Sequence, residues 1–127
     1  MANTNTTITA GQVAPAVVNL GSGSSIPVDA SAGNDFRVTL GAGATAIASP
    51  INSVDGQRIT FQLTQPSGGA GTVSWGADYD WGGKTTANAA GSSAPALSAG
   101  GGFVDIVGFV YNALHGKWCY VGAALGF

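Results

Sequence analysis

Arg58-Ile59-Thr60-Phe61-Gln62-Leu63-Thr64 alternates polar and apolar side chains without interruption, directly after the turn signal Val54-Asp55-Gly56-Gln57. A period of two places Ile59, Phe61 and Leu63 on one face of an extended strand and leaves the opposite face polar. The stretch therefore reads as a strand with one side on a core and one side wet. Phe36-Arg37-Val38-Thr39-Leu40 repeats the pattern upstream, with Phe36, Val38 and Leu40 inward. Downstream, Thr72-Val73-Ser74-Trp75 and Lys117-Trp118-Cys119-Tyr120-Val121 are further short strands, the second following a turn over Asn112 to Gly116. Phe103 to Tyr111 is apolar at both parities except at Asp105, the pattern of a central strand covered on each side.

Glycine and proline interrupt every segment before a helical period can establish itself, so the chain is expected to be all-β. Its length of 127 residues fits one domain, an antiparallel β-sandwich of jelly-roll type or a barrel. Gln65 to Gly71, with Pro66 and three glycines, is expected to turn the chain back as a hairpin onto the preceding strand. Gly82 to Gly102 has only Leu97 as a bulky anchor and reads as a long surface excursion suited to contact. Residues 1–20 have a different texture, Thr and Asn followed by Val13, Pro15, Val17, Val18 and Leu20, and read either as an extended N-terminal attachment arm lying on a neighbouring subunit or as a frayed terminus with one edge strand. Residues 21–127 then form the β domain. Fully extended, the arm spans about 65 Å at roughly 3.3 Å per residue.

Charged residues make up 8% of the chain, against roughly a quarter in an average globular domain, while 21 residues are glycine. A surface so short of charge suits a part packed beside other copies better than a freely diffusing catalyst. The four cations, Arg37, Arg58, Lys84 and Lys117, are scattered and form no basic stripe, so no nucleic-acid partner is expected. There is neither a secretion signal nor a long apolar span, so synthesis in a host cytoplasm and no membrane partner are expected. The single Cys119 has no internal disulfide partner and reads as a packing residue.

The inventory for catalysis is thin. His115, the only histidine, sits in a turn; no nucleophile elbow, phosphate loop or Cys/His metal spacing occurs, so no catalytic residue, cofactor or metal site is expected. Asp78-Tyr79-Asp80-Trp81 is the one constellation with chemical promise. Carboxylates at Asp78 and Asp80 share a face of an extended segment, about 6.5 to 7 Å apart, a spacing open to a hard cation or to a glycoside-hydrolysing pair. With Trp75 nearby, Tyr79 and Trp81 offer aromatic faces beside carboxylates, as glycan sites do. Against these stands the plainer reading, a turn capped by its own aspartates, with the aromatics in the core.

Taken in order, Val54-Asp-Gly-Gln-Arg-Ile-Thr-Phe-Gln-Leu-Thr-Gln, Gly71-Thr-Val-Ser-Trp-Gly, Ala94-Pro-Ala-Leu, Val104-Asp-Ile-Val-Gly-Phe-Val-Tyr-Asn and Lys117-Trp-Cys-Tyr-Val-Gly resemble a β domain recurrent in virion structural proteins of tailed bacteriophages, found in fibre tips, minor tail proteins and head surface proteins. The resemblance covers residues 36–127. It implies a non-enzymatic building block, commonly trimeric, whose N-terminal part attaches while the β domain faces outward. No shaft of repeats or heptads precedes the domain, which favours a capsid decoration protein that binds the major capsid protein and reinforces the shell from the outer surface of the particle. A minor tail or fibre-tip protein, bound to tail proteins and gripping a host glycan through Asp78, Tyr79, Asp80 and Trp81, is the alternative.

Overall fold

The computed structural model describes residues 15–86 and 91–127. Nine strands and a single 3-10 turn at Ala30–Ala32 make up its regular structure: β1 (Val17–Gly21), β2 (Ser25–Ile26), β3 (Asp35–Thr39), β4 (Ala44–Ile47), β5 (Arg58–Thr64), β6 (Thr72–Trp75), β7 (Tyr79–Asp80), β8 (Val104–Asn112) and β9 (Lys117–Ala124). The all-β expectation holds. The antiparallel, jelly-roll expectation does not, because five of the seven strand pairings are parallel.

The reason lies in how the chain winds. One sheet has the order β1-β3-β5-β8-β9-β7 and the other β2-β4-β6, so the first six strands enter the two sheets alternately. Each return adds a strand parallel to the one laid down two strands earlier: Phe36 lies beside Phe61, and Thr45 beside Val73. The Gln65 to Gly71 segment is consequently no hairpin but a crossover from the larger sheet to the smaller. β5 has no free edge for β6, since β3 occupies one side and β8 pairs along the other from Arg58↔Val110 to Thr64↔Val104. Gln65 closes the crossover, its buried amide donating to Gly71 O at 2.9 Å and accepting from Gly71 N at 2.8 Å. Gly69 has φ +69°, and a side chain there would strike the Ala99 carbonyl, so glycine is required where this loop meets the 99–102 turn.

Both sheets contribute to one buried cluster. Ile26 and Ile47 come from the smaller sheet; Phe36, Val38, Ile59, Phe61, Leu63, Val107, Phe109 and Trp118 come from the larger. The inward residues expected on β3 and β5 are all in this core. Each such side chain contributes about 1.5–3 kcal/mol when removed from water. β8 is central, between β5 and β9, but only one of its faces is covered: Asp105, Val107 and Phe109 are buried, whereas Val104, Ile106 and Val110 are half-buried. Coverage on both faces, expected from its composition, is not supplied within one copy. Asp105 is tolerated inside because it accepts from Ser98 N at 2.6 Å, Ser98 Oγ at 2.7 Å and Gly126 N at 2.9 Å.

The Asp-Gly-Gln turn that precedes β5 is a structural hub. Asp55 accepts from Ala113 N in the β8–β9 turn, Gly56 takes φ +80° and donates to Tyr111 O, and Gln57 donates to Ala30 O at 2.7 Å. From Val17 onward the stretch expected as an arm is edge strand β1, parallel to β3, with Val18 and Leu20 packed on the core and Val17 exposed. Ala16 O accepts from Asn34 N and Asp35 N, which fastens the start of that strand. Pro15 is exposed ahead of it, and Val13 lies outside the described residues.

Candidate functional site

β7 is only two residues long, yet it sets the geometry of the Asp78 to Trp81 constellation. It pairs in parallel with β9, Tyr79 beside Trp118 and Asp80 beside Cys119, so Tyr79 must point inward and Asp80 outward. Tyr79 is buried, and its hydroxyl donates to Ala48 O at 2.9 Å. Burial, with the nearby Asp78 charge, pushes its phenol well above the ordinary tyrosine range. Tyr79 is thus chiefly a brace between the two sheets, reaching only the wall of the depression beside Asp80.

Trp81 is half-buried, with ring centroids 5.3 Å from Trp75, 5.3 Å from Phe109 and 5.2 Å from Tyr120. Trp75 is likewise half-buried, edge-on to Phe61 and Tyr79. The aromatics form one continuous cluster that closes this end of the core, and the plainer reading of the motif accounts for most of it. Tyr120 was not singled out in the sequence; it joins Trp81 only because β9 lies between β8 and β7, a pairing that no local spacing announces.

The two carboxylates are separately neutralised. Asp80 accepts from Gly82 N at 2.9 Å and from Lys84 Nζ at 2.9 Å; the amide bond first, then the lysine, holds its carboxyl below the usual aspartate range. Asp78 lies 3.7 Å from Lys117 Nζ, which also donates to Ala77 O. Each carboxylate thus faces its own lysine instead of a common cation. Among the described residues no group of three or more His, Cys, Asp or Glu gathers where a metal could be held.

Two shallow depressions flank the Asp80–Lys84 pair. One, of about 200 Å³, is bounded by Trp81, Ser92 and Lys117; the other, of about 370 Å³, by His115, Cys119 and Tyr120. His115 is exposed in its turn, as expected, whereas Cys119 is half-buried on the outward side of β9 beside Val110 and does not reach the core. A larger apolar cleft of about 460 Å³ separates edge strand β6 from the Ala94 to Ala99 segment, with Val73, Trp75, Pro95 and Leu97 on its walls. Leu97 packs on the core and anchors the described part of the expected surface excursion, as its sequence suggested; residues 87–90 lie outside the described residues.

No family model, curated protein or solved structure matches the chain. No helix among the described residues is long and apolar enough to cross a membrane.

Proposed function

We propose that this chain is a non-enzymatic structural subunit of a tailed-bacteriophage virion, a decoration protein seated on the outer surface of the head, where it binds the major capsid protein and reinforces the shell. The observation that carries the reading is the disposal of charge. Asp35 with Arg37, Asp78 with Lys117 and Asp80 with Lys84 are ion-paired, Asp105 is buried, and Asp29 and Asp55 accept from backbone amides of turns. What remains, apart from the exposed Arg58, is a surface of small uncharged groups, with Val17, Ile51, Val54, Phe103 and Leu114 exposed on it. Such a surface suits lasting contact with other subunits and is poorly suited to keeping a free monomer apart from its neighbours.

The residues that carry the phage resemblance support a scaffold role, since Asp55, Gly56 and Gln57 bind backbone and Trp118 fills the core, its Nε1 donating to Ser53 Oγ at 3.0 Å. The subunit acts as a homo-oligomer, three copies being the number the resemblance implies, without cofactor, nucleic acid or membrane, and it is made in the host cytoplasm before joining the particle. Counting copies in purified particles tests the reading. Many copies spread over the head are expected; a handful confined to the tail would refute it.

A second reading, a minor tail or fibre-tip protein binding a host glycan, is favoured by one observation: Trp81 and Tyr120 are half-buried beside the depressions around Asp80. Loss of host adsorption on replacing Trp81, with particle stability unchanged, would establish it in place of the first.

A further inference from the structure

The outward face of β8 and β9 is an apolar stripe, and its residues can be placed by register. Val104, Ile106 and Val110 alternate along β8; Ala124 lies beside Ile106 and Cys119 beside Val110. Phe127, 66% exposed, exchanges both backbone hydrogen bonds with Val104 at one end. In the middle, Gly108 and Gly122 face each other, and the 65%-exposed Val121 reaches over Gly108, its Cγ2 3.4 Å from where a β-carbon would sit. Composition marks β8 as a strand covered on both sides, and within one copy Val104, Ile106 and Val110 on this side are only half-buried.

At the far end of the stripe, one row crosses four strands: Arg58 on β5, Val110 on β8, Cys119 on β9 and Asp80 on β7. Arg58 is exposed and has no ion-pair partner among the described residues; Asp80, a carboxylate paired within its own copy to Lys84, lies on the opposite flank. A two-fold axis lying along the strands, between β8 and β9, exchanges the two flanks and keeps the level along the strands. It would set Arg58 of each copy over Asp80 of the other, across the spacing of about 10 Å typical of packed sheets, within reach of an arginine side chain.

We infer that this face is an interface between two copies of the chain, packed face to face about that two-fold axis, with the Val104–Val110 stripe and Val121 at its centre and two reciprocal Arg58–Asp80 contacts at its rim. The occupant is a second copy because the face complements itself: apolar meets apolar along the stripe, and the unmatched Arg58 meets the Asp80 carboxylate, which it shares with that copy's Lys84. The contact is distinct from any three-fold contact implied by the phage resemblance, and it does not depend on the virion reading.

Sedimentation of the purified full-length chain over a concentration series tests it. The wild type is expected to associate in pairs, or to double whatever smaller oligomer exists, and Val121→Lys, placed at an exposed site to spare the fold, is expected to weaken that step by roughly ten-fold or more. Arg58→Asp and Asp80→Lys should each weaken it, because two like-charge contacts replace two opposite ones. An equimolar mixture of the two variants should associate again, since the mixed pair restores one native and one swapped contact. A wild type that never pairs, or a Val121→Lys protein that pairs unchanged, would overturn the interface; pairing without recovery in the mixture would overturn the two-fold arrangement. Few copies per particle alongside intact pairing would remove the decoration reading and leave this one standing.

Discussion

Replacing Phe61 by alanine should be among the most damaging single changes to this chain, and its size can be worked from its surroundings. The side chain is fully buried, with ring centroids 5.7 Å from Phe36, 5.5 Å from Trp75, 5.9 Å from Tyr79 and 6.0 Å from Phe109. Phe to Ala in a core costs about 3–5 kcal/mol through lost burial and a residual cavity. Favourable aromatic pairs each add about 0.5–1.5 kcal/mol beyond area, and Phe61 has four, drawn from both sheets, so the upper part of the range, about 4–5 kcal/mol, is expected. The neighbours are rigid strands that cannot collapse into the space, which also argues for the upper part. In a domain of this size each kcal/mol moves Tm by about 3–5 °C, giving a fall of roughly 12–25 °C. Urea unfolding followed by circular dichroism measures the loss directly, and Gln62→Ala, half-buried on the outward face, serves as the control with an expected cost under about 1 kcal/mol. A loss below about 2 kcal/mol for Phe61→Ala, or an equal loss for Gln62→Ala, would refute the register of β5 and with it the placement of the core, because a one-residue slip exchanges the two faces.

Other expectations follow from the polar contacts. Asp105→Ala strips three hydrogen bonds from a buried carboxylate and should cost about 3–5 kcal/mol, with amide exchange quickening at Ser98 and Gly126. Tyr79→Phe leaves Ala48 O without its donor and should cost about 1–2 kcal/mol in a urea titration while the near-ultraviolet spectrum keeps its aromatic signature. Gly56→Ala meets no neighbouring atom but must hold φ +80°, so a loss of about 1–2 kcal/mol is expected from backbone strain alone. The Asp80 carboxyl is held below its ordinary value of 3.8, so its contribution is present above that pH and is lost as pH falls through the lower folded value. Melting curves taken from pH 5 down to about pH 2 should therefore fall less steeply for Asp80→Asn than for the parent chain; identical slopes would remove Asp80 from the account.

Strand existence was legible because period-two alternation is a local signal. Phe36, Val38, Ile59, Phe61 and Leu63 announce their inward face by their neighbours in sequence, and the structure places each of them there. The Pro66 and glycine signals announced a loop correctly but not its destination. A Gly-rich turn permits a hairpin and a crossover alike, and which one forms depends on whether the previous strand has an edge free. β8, some forty residues downstream, takes that edge. The same limit applies to the candidate site. Asp78, Tyr79, Asp80 and Trp81 could be named from composition and spacing, yet Tyr79 turned inward and each carboxylate acquired its own lysine, because β7 pairs with β9.

The sequence by itself therefore determined that this protein is built of strands, which side of each long strand is apolar, and how little charge its surface carries, since these depend on residue type and near neighbours alone. Only the tertiary structure decided that the strands enter two sheets alternately and pair mostly in parallel, that Tyr120 joins Trp81, and that Arg58 and Asp80 lie on one row at opposite flanks of a half-buried apolar stripe. Those arrangements are settled by competition among edges far apart in the chain, where backbone hydrogen bonding is indifferent to side-chain identity and the winner is the pairing that buries the most apolar surface at once.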